Sequence, residues 1–207
     1  MDAKHRDEQD RVGRGRPRRF DPGRGEHIIE VALQVIVDKG VGGLTQRLVA
    51  GAADVPLGSV TYHYPTKREL VRAAFALFVE EQTALYERIV GAANTQAELL
   101  EVLEGMVTGG PNRERAGVLG FELHLAALRD PWLRDLTQRW TDASRTTLAR
   151  LMDPESAADL DAFLEGLILH SLLAPERSGR PPTRRSIARF LETVDGPVAG
   201  PREASDA

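Results

Sequence analysis

The sequence predicts an all-α fold of about nine helices, arranged as a small N-terminal unit and a larger C-terminal unit. Apolar residues recur at three- and four-residue spacing from residue 25 onwards, and Gly and Pro residues interrupt that period. No segment shows the strict alternation of a strand. Of the 207 residues 42% are hydrophobic, enough to bury a core in one moderate domain or two small ones.

The amino-acid composition excludes several classes of protein. Cysteine is absent, which excludes a disulfide framework and a thiolate metal site and fits a reducing cytoplasm. No run of about 18 apolar residues occurs, and the charged N-terminus has no apolar segment behind it. We therefore expect a cytoplasmic protein without a membrane partner.

Charge is divided unevenly along the chain. Residues 1–72 carry 13 Lys+Arg against 10 Asp+Glu, whereas residues 73–207 carry 14 against 21, so the two parts have net charges of +3 and −7. The N-terminal part is thus the one suited to a polyanion.

Residues 1–23 are polar, rich in Gly and Arg and without apolar periodicity, and we expect a basic disordered arm there. Its Arg14, Arg16, Arg18 and Arg19 form a run similar to the Arg-Gly-Arg-Pro core of an AT-hook. In that motif a thin backbone lets Arg side chains enter a narrow A·T-rich minor groove. A solvated basic tail is the alternative.

Residues 24–70 are expected to form a three-helix domain. The first helix is predicted over residues 25–39, ended by Gly40. The second follows Gly43 and stops before Pro56, because proline disfavours a helical residue ahead of it.

The third predicted helix, residues 57–64, is about two turns long. Val60 and Tyr64 lie four apart and are expected to face the other two helices. The remaining residues form an outward surface of hydroxyls, aromatics and an imidazole, which suits phosphates and base edges. Its members are Leu57, Ser59, Thr61, Tyr62 and His63, and Gly58 between them is a further candidate for DNA binding. Two short helices around a tight turn indicate a helix-turn-helix.

This segment resembles the DNA-binding domain of the tetracycline-repressor (TetR) family of bacterial transcription regulators. The matching residues are Leu44, Thr45, Arg47, Ala50, Ala53, Val55, Gly58, Ser59, Val60, Tyr62, His63, Tyr64, Lys67 and Leu70. The resemblance implies phosphate contacts by Thr45, Arg47, Tyr62, His63 and Lys67. It also implies that Leu57, Ser59 and Thr61 approach bases.

Three positions depart from the family pattern. Asp54 stands where the family has Gly in the turn, and aspartate tolerates the left-handed conformation better than most residues. Pro56 replaces a capping Ser and so lacks the hydroxyl that would contact a phosphate. Thr61 replaces Tyr.

A long helix begins at Thr66, because Thr66 and Glu69 form a capping box, and its apolar period continues to Gly91. Its first turn belongs to the three-helix domain, and the remainder belongs to a second domain, residues 71–194. Tilting this shared helix is therefore expected to move the third helix.

Further helices are expected over the rest of the chain. They cover residues 95–107, 113–128, 131–152, 154–173 and 183–194, with Asp130 and Asp153 as caps ahead of prolines. Residues 195–207 are expected to be a flexible tail.

The helices near 154–173 and 183–194 resemble the family's dimerisation surface. Burial inside one subunit is the alternative, but a single reading head covers only half of a palindrome, which favours a homodimer.

The resemblance also implies a small-molecule cavity between the middle helices. The candidate liners are Phe75, Phe78, Met106, Phe121, His124, Trp140 and His170, although each is commonly an ordinary core residue. No cofactor, catalytic set or metal site is expected, since the five His residues stand far apart.

Two other classes compete with DNA binding. A small all-α enzyme is disfavoured because no nucleophile elbow, phosphate loop or zinc motif occurs and the acidic residues lie mostly on polar faces. A helical protein-binding adaptor would leave the basic arm without a role. The sequence therefore predicts a dimeric, nucleoid-associated bacterial transcription regulator that binds a palindromic operator. We expect a repressor rather than an activator, and an unknown effector that releases the protein from the operator.

Overall fold

The computed structural model describes residues 23–174 and 183–194. Within those ranges the chain forms nine α-helices, one 3-10 turn and no strand, which confirms the all-α prediction. The helices are α1 (Arg24–Gly43), α2 (Gln46–Ala52), α3 (Leu57–His63), α4 (Lys67–Gly91), α5 (Gln96–Thr108), α6 (Pro111–Arg129), α7 (Arg134–Leu148), α8 (Pro154–Leu173) and α9 (Thr183–Glu192).

Two predictions fall outside the described ranges. They are the basic arm, with Arg14, Arg16, Arg18 and Arg19, and the C-terminal tail over residues 195–207. Both stay predictions.

The three N-terminal helices form a compact unit because each buries one stripe. Ile28, Ile36, Leu44, Val49 and Val60 are fully buried in its centre. The turn between α2 and α3 places Asp54 at φ 51°, as the sequence predicted.

The first helix bends where the sequence predicts its end. Gly40 has φ 69° and ψ 168° inside α1, a conformation that side-chain-bearing residues rarely adopt. The segment after it leads into Thr45, whose hydroxyl accepts a hydrogen bond from the Leu48 amide and caps α2.

The fourth helix joins the two halves of the molecule. Its capping box is present, since Thr66 and Glu69 each accept a hydrogen bond from the other's backbone amide. Its first half contributes Leu70, Phe75 and Phe78 to a core shared with α1, α2, α3, α6 and the start of α7. Its end joins a second core with α5, α8 and α9. Displacing α4 would therefore repack both cores.

Two predicted helix boundaries are corrected. Pro111 does not break the chain before α6; it is the first helical residue, where its missing amide costs nothing. The helix predicted over residues 131–152 is a 3-10 turn, Pro131–Leu133, followed by α7, and Asp130 makes no capping hydrogen bond. The chain leaves α7 after Leu148 because Leu151 and Met152 pack against the second core.

Ion pairing also joins the N-terminal part of α4 to α7. Both terminal nitrogens of Arg72 donate to the Asp135 carboxylate, at 2.8 and 2.6 Å, and Arg72 also donates to the Trp132 carbonyl. This forked hydrogen bond holds the pKa of Asp135 below its usual range. Among the described helices, none is both long and apolar enough to cross a membrane.

Candidate nucleic-acid interface and ligand cavity

The third helix has one locked face and one open face. Val60 is 0% exposed, and the Tyr64 hydroxyl donates to the Gly25 carbonyl at 3.1 Å, which confirms the predicted inward face. On the opposite side Leu57, Thr61 and Tyr62 are exposed, Tyr62 by 78%. Because these contacts fix the buried face of α3, the side chains on its exposed face have a defined orientation.

The other predicted DNA-contacting residues lie around this open face, and they differ in how exposed they are and in whether they bond to the protein itself. Arg47 is exposed on α2, and Gly58 is exposed at the start of α3, whereas Ser59 is half-buried. Thr45 is exposed but its hydroxyl is used as the cap of α2, so it precedes that helix rather than lying on it.

Two further residues are partly engaged with the protein itself. The Lys67 ammonium donates to the Gly42 carbonyl at 3.1 Å. His63 is half-buried beside Gly25, where a side-chain carbon would lie 3.2 Å from its Nδ1. Either residue would have to share or exchange these contacts to bind a phosphate.

A cavity opens between the helices of the C-terminal half. Its volume is about 110 Å³. The wall combines apolar, aromatic and charged residues from five helices. They are Gln82, Tyr86, Met106, Arg113, Ala116, Gly117, Gly120, Phe121, His124, Trp140, Thr141, Ser144, Asp161, Leu164, Glu165 and Ile168.

Four of the seven predicted liners, Met106, Phe121, His124 and Trp140, lie on this wall. The other three predictions are corrected. Phe75 and Phe78 are buried in the first core, Phe78 with its ring edge-on to Trp140 at 5.3 Å. His170 is exposed and does not line the cavity.

Aromatic rings build one side of the cavity. His124 stacks on Trp140 with ring centres 5.6 Å apart and an angle of 12°, and Phe121 lies edge-on to His124 at 6.4 Å. Gly120 makes this approach possible, because a side-chain carbon there would lie 2.8 Å from the Trp140 ring. Glu122, next to Phe121 in the chain, does not line this cavity; its carboxylate accepts a hydrogen bond from the Val41 amide.

Two acidic groups, which sequence reasoning missed, form another side of the wall, and one of them lies beside His124. Asp161 is only 8% exposed and accepts hydrogen bonds from Ser144 at 2.5 Å and Arg145 at 3.2 Å. Glu165, one turn further along α8, faces His124 Nε2 at 4.0 Å. Burial raises the pKa of Glu165; His124 and Arg145 oppose that shift and Asp161 adds to it.

The sequence did contain a signal for this acidic side. Asp161 and Glu165 lie in one stripe with Leu164 and Ile168, and carboxylates within an apolar stripe indicate a site rather than a solvated face.

Tyr86 adds a buried polar group to the same wall. Its hydroxyl makes no hydrogen bond of good geometry with the described residues, although Ser144 lies close to it. Burial raises its pKa above the ordinary range, so the phenol stays protonated. The hydroxyl is thus a buried donor without a fixed acceptor among the described residues.

The outer face of α8 is apolar. Leu169 and Leu173 are exposed, Leu173 by 71%, and a side-chain carbon at Gly166 would meet no atom within 4 Å. Phe163 of α8 stacks on Phe190 of α9 with ring centres 5.5 Å apart, so these two helices contact each other.

Two family descriptions match most of the chain. Residues 28–74 match "Bacterial regulatory proteins, tetR family", and residues 90–194 match "Tetracyclin repressor-like, C-terminal domain". The regulator PksA of Bacillus subtilis (strain 168) is 25% identical over 183 residues, covering 83% of this chain and 89% of PksA.

Solved structures agree with these matches. A transcriptional regulator from Streptomyces coelicolor A3(2) is 37% identical, with TM-score 0.71, over 83% of this chain and 100% of that one. The multidrug-binding protein EbrR in complex with proflavin is 35% identical, with TM-score 0.60, over 81% of this chain and 99% of EbrR. The chain therefore belongs to the TetR family, whose members are DNA-binding transcriptional regulators.

Proposed function

We propose that this regulator is a homodimeric repressor that binds a palindromic operator and releases it when a small molecule fills the cavity. The observation that carries the proposal is the two-faced α3. Val60 and Tyr64 fix the helix from behind, while Thr61 and Tyr62 stand exposed in front.

Contacts to DNA would divide into two kinds. Five side chains would bind phosphates, and such contacts fix the position of the domain on the duplex without distinguishing one base from another. They belong to Arg47, Tyr62, His63, Thr45 and Lys67. Leu57, Ser59 and Thr61 would meet base edges in the major groove, with Gly58 allowing the backbone to approach.

The outer face of α8, together with α9, would form the dimer interface. Leu169 and Leu173 are exposed there, and the open position at Gly166 leaves room for a partner backbone. Leu173→Lys should shift the molecule to monomers in sedimentation velocity. Leu128→Lys is the matched control, because Leu128 is similarly exposed but lies on α6.

The cavity would hold the effector. EbrR has been solved in complex with proflavin, malachite green and ethidium, three aromatic compounds. The aromatic wall formed by Phe121, His124 and Trp140 suits a ligand of that kind here. The protein would act in the bacterial cytoplasm, at the nucleoid.

Selection of bound duplexes from a random DNA pool tests the proposal. The expected product is an inverted repeat whose half-site spacing fits one dimer. Tyr62→Ala provides the control for affinity, since it removes an exposed contact without touching the buried face; it should bind the same inverted repeat more weakly. A pool without any enriched sequence would contradict the proposal.

A further inference from the structure

The cavity wall carries one carboxylate that the surrounding protein leaves almost unpaired. Asp161 accepts hydrogen bonds from Ser144 and Arg145 on its two oxygens, so its charge is already compensated. Glu165 receives no hydrogen bond from the residues that the structure describes, and the basic side chain recorded beside it is the His124 imidazole, with its Nε2 at 4.0 Å. Glu165 is therefore the acidic group that remains free to pair with a ligand.

Glu165 also lies beside flat aromatic surfaces. His124, its neighbour, stacks on Trp140, and Phe121 meets His124 edge-on. The negative faces of such rings attract a cation, and they stack on a planar ligand. The Glu165 side chain is 48% exposed, so a molecule entering from the mouth can reach it.

The charges of the whole wall indicate how many positive charges fit. Two carboxylates, Asp161 and Glu165, lie on the wall, and the charge of Asp161 is already compensated by Arg145. Glu165 is thus one negative charge without a fixed partner, and one positive charge on a ligand would complement it. Arg113, the guanidinium of the wall, lies three turns from His124 along α6, or about 16 Å, and would repel a second positive charge at that end.

We propose that the cavity selects an aromatic monocation and that Glu165 is the residue that recognises the charge. The proposal rests on the function proposed above and adds the chemical class of the effector. It also distinguishes Glu165 from Asp161, whose carboxylate holds α7 and α8 together through Ser144 and Arg145.

Two dyes of the same three-ring frame test the proposal on the full chain. Proflavin is an aromatic monocation, and acridine is neutral at pH 8. By titration calorimetry at that pH, the wild type should bind proflavin about tenfold or more tightly than acridine, the factor that 1.4 kcal/mol provides. Glu165→Gln should remove this preference while acridine binding stays unchanged.

Two further variants control for folding and for net charge. Asp159→Asn removes one charge from the exposed side of α8, outside the cavity, and should keep the preference for proflavin. Glu165→Asp keeps the charge and should also keep the preference, which preserves the test if Glu165→Gln unfolds.

The possible results separate this proposal from the previous one. Equal proflavin affinity of wild type and Glu165→Gln overturns the assignment of Glu165, and acridine binding as tightly as proflavin, or no proflavin binding, overturns the ligand class. In those cases operator release by a different bound compound would still support the proposed function. Charge-dependent proflavin binding without any effect on operator affinity would support the ligand class and remove the proposed switch.

Discussion

The carboxylate of Glu122 accepts a hydrogen bond from the backbone amide of Val41, at 3.0 Å between Oε2 and the amide nitrogen. Val41 follows the bend at Gly40 and leads into the helix-turn-helix, whereas Glu122 lies on α6 between two residues of the cavity wall, Phe121 and His124. One turn of α6 therefore contacts both the cavity and the DNA-binding unit.

Substitution of Glu122 should weaken communication between the two sites. Glu122→Ala leaves the Val41 amide without its acceptor, which should lower the free energy of unfolding by about 1 to 2 kcal/mol. The effect of a ligand on operator affinity should shrink by about 0.5 to 2 kcal/mol. Urea unfolding and operator titrations with and without ligand measure the two quantities.

Glu122→Gln is the control, because it retains an oxygen that can accept from Val41. It should keep most of the ligand response. A full response in Glu122→Ala would show that this hydrogen bond carries no coupling.

Substitutions on α3 should separate affinity from specificity. Tyr62→Ala should weaken binding to all duplexes similarly, because Tyr62 is expected to hold a phosphate. Thr61→Ala should change the preferred sequence, with a loss of roughly 1 to 3 kcal/mol on the original operator. Binding curves on the selected operator and on single-base variants check this. Wild-type behaviour of both folded variants would remove α3 from the interface.

Deletion of residues 1–20 should lower affinity and reduce the slope of log affinity against log salt. Each lost phosphate contact should change that slope by about 0.9, since fewer counterions are released. The truncated protein should also lose any preference for A·T pairs beside the half-sites. DNA titrations of the full and truncated proteins at several salt concentrations measure this slope. An unchanged slope and an unchanged preference for A·T pairs would identify the arm as a solvated tail.

Proflavin affinity should fall as the pH falls. Burial holds the pKa of Glu165 above its ordinary 4.5, so the carboxylate that attracts the cation is lost at a higher pH than for an exposed glutamate. Below that pKa the affinity should drop by up to about tenfold per pH unit. Among the charged groups near Glu165, Arg145 lowers the pKa of its carboxyl and Asp161 raises it, and His124 is the imidazole that faces it.

The same titration on Glu165→Gln supplies the comparison. Its proflavin affinity should be nearly independent of pH over the mildly acidic range. Equal pH dependence in both proteins would assign the proton to another group.

Local signals made much of the fold predictable. The capping box at Thr66 and Glu69, the cap at Asp153 and the turn at Asp54 each depend on a few neighbouring residues, and the structure confirms all three. The early end of α7 was not predictable in that way. Residues 149–152 suit a helix, but packing of Leu151 against the second core draws the chain off the helix axis.

The cavity was less predictable, because periodicity shows that a residue is buried but not which neighbour buries it. Phe78 and Tyr86 both lie on α4, yet the first belongs to a core and the second to the cavity wall. Likewise, the neutralisation of Asp161 depends on Ser144 and Arg145 of another helix, and nothing local distinguishes it from Glu165.

The central claim is that ligand and operator oppose each other, and reciprocal titration measures this directly. A compound that raises the melting temperature, proflavin first, would be titrated into the protein with and without operator, and operator would be titrated with and without the compound. Linkage requires both affinities to fall by the same factor, and we expect about tenfold or more. Equal ligand affinity with and without operator would contradict the account.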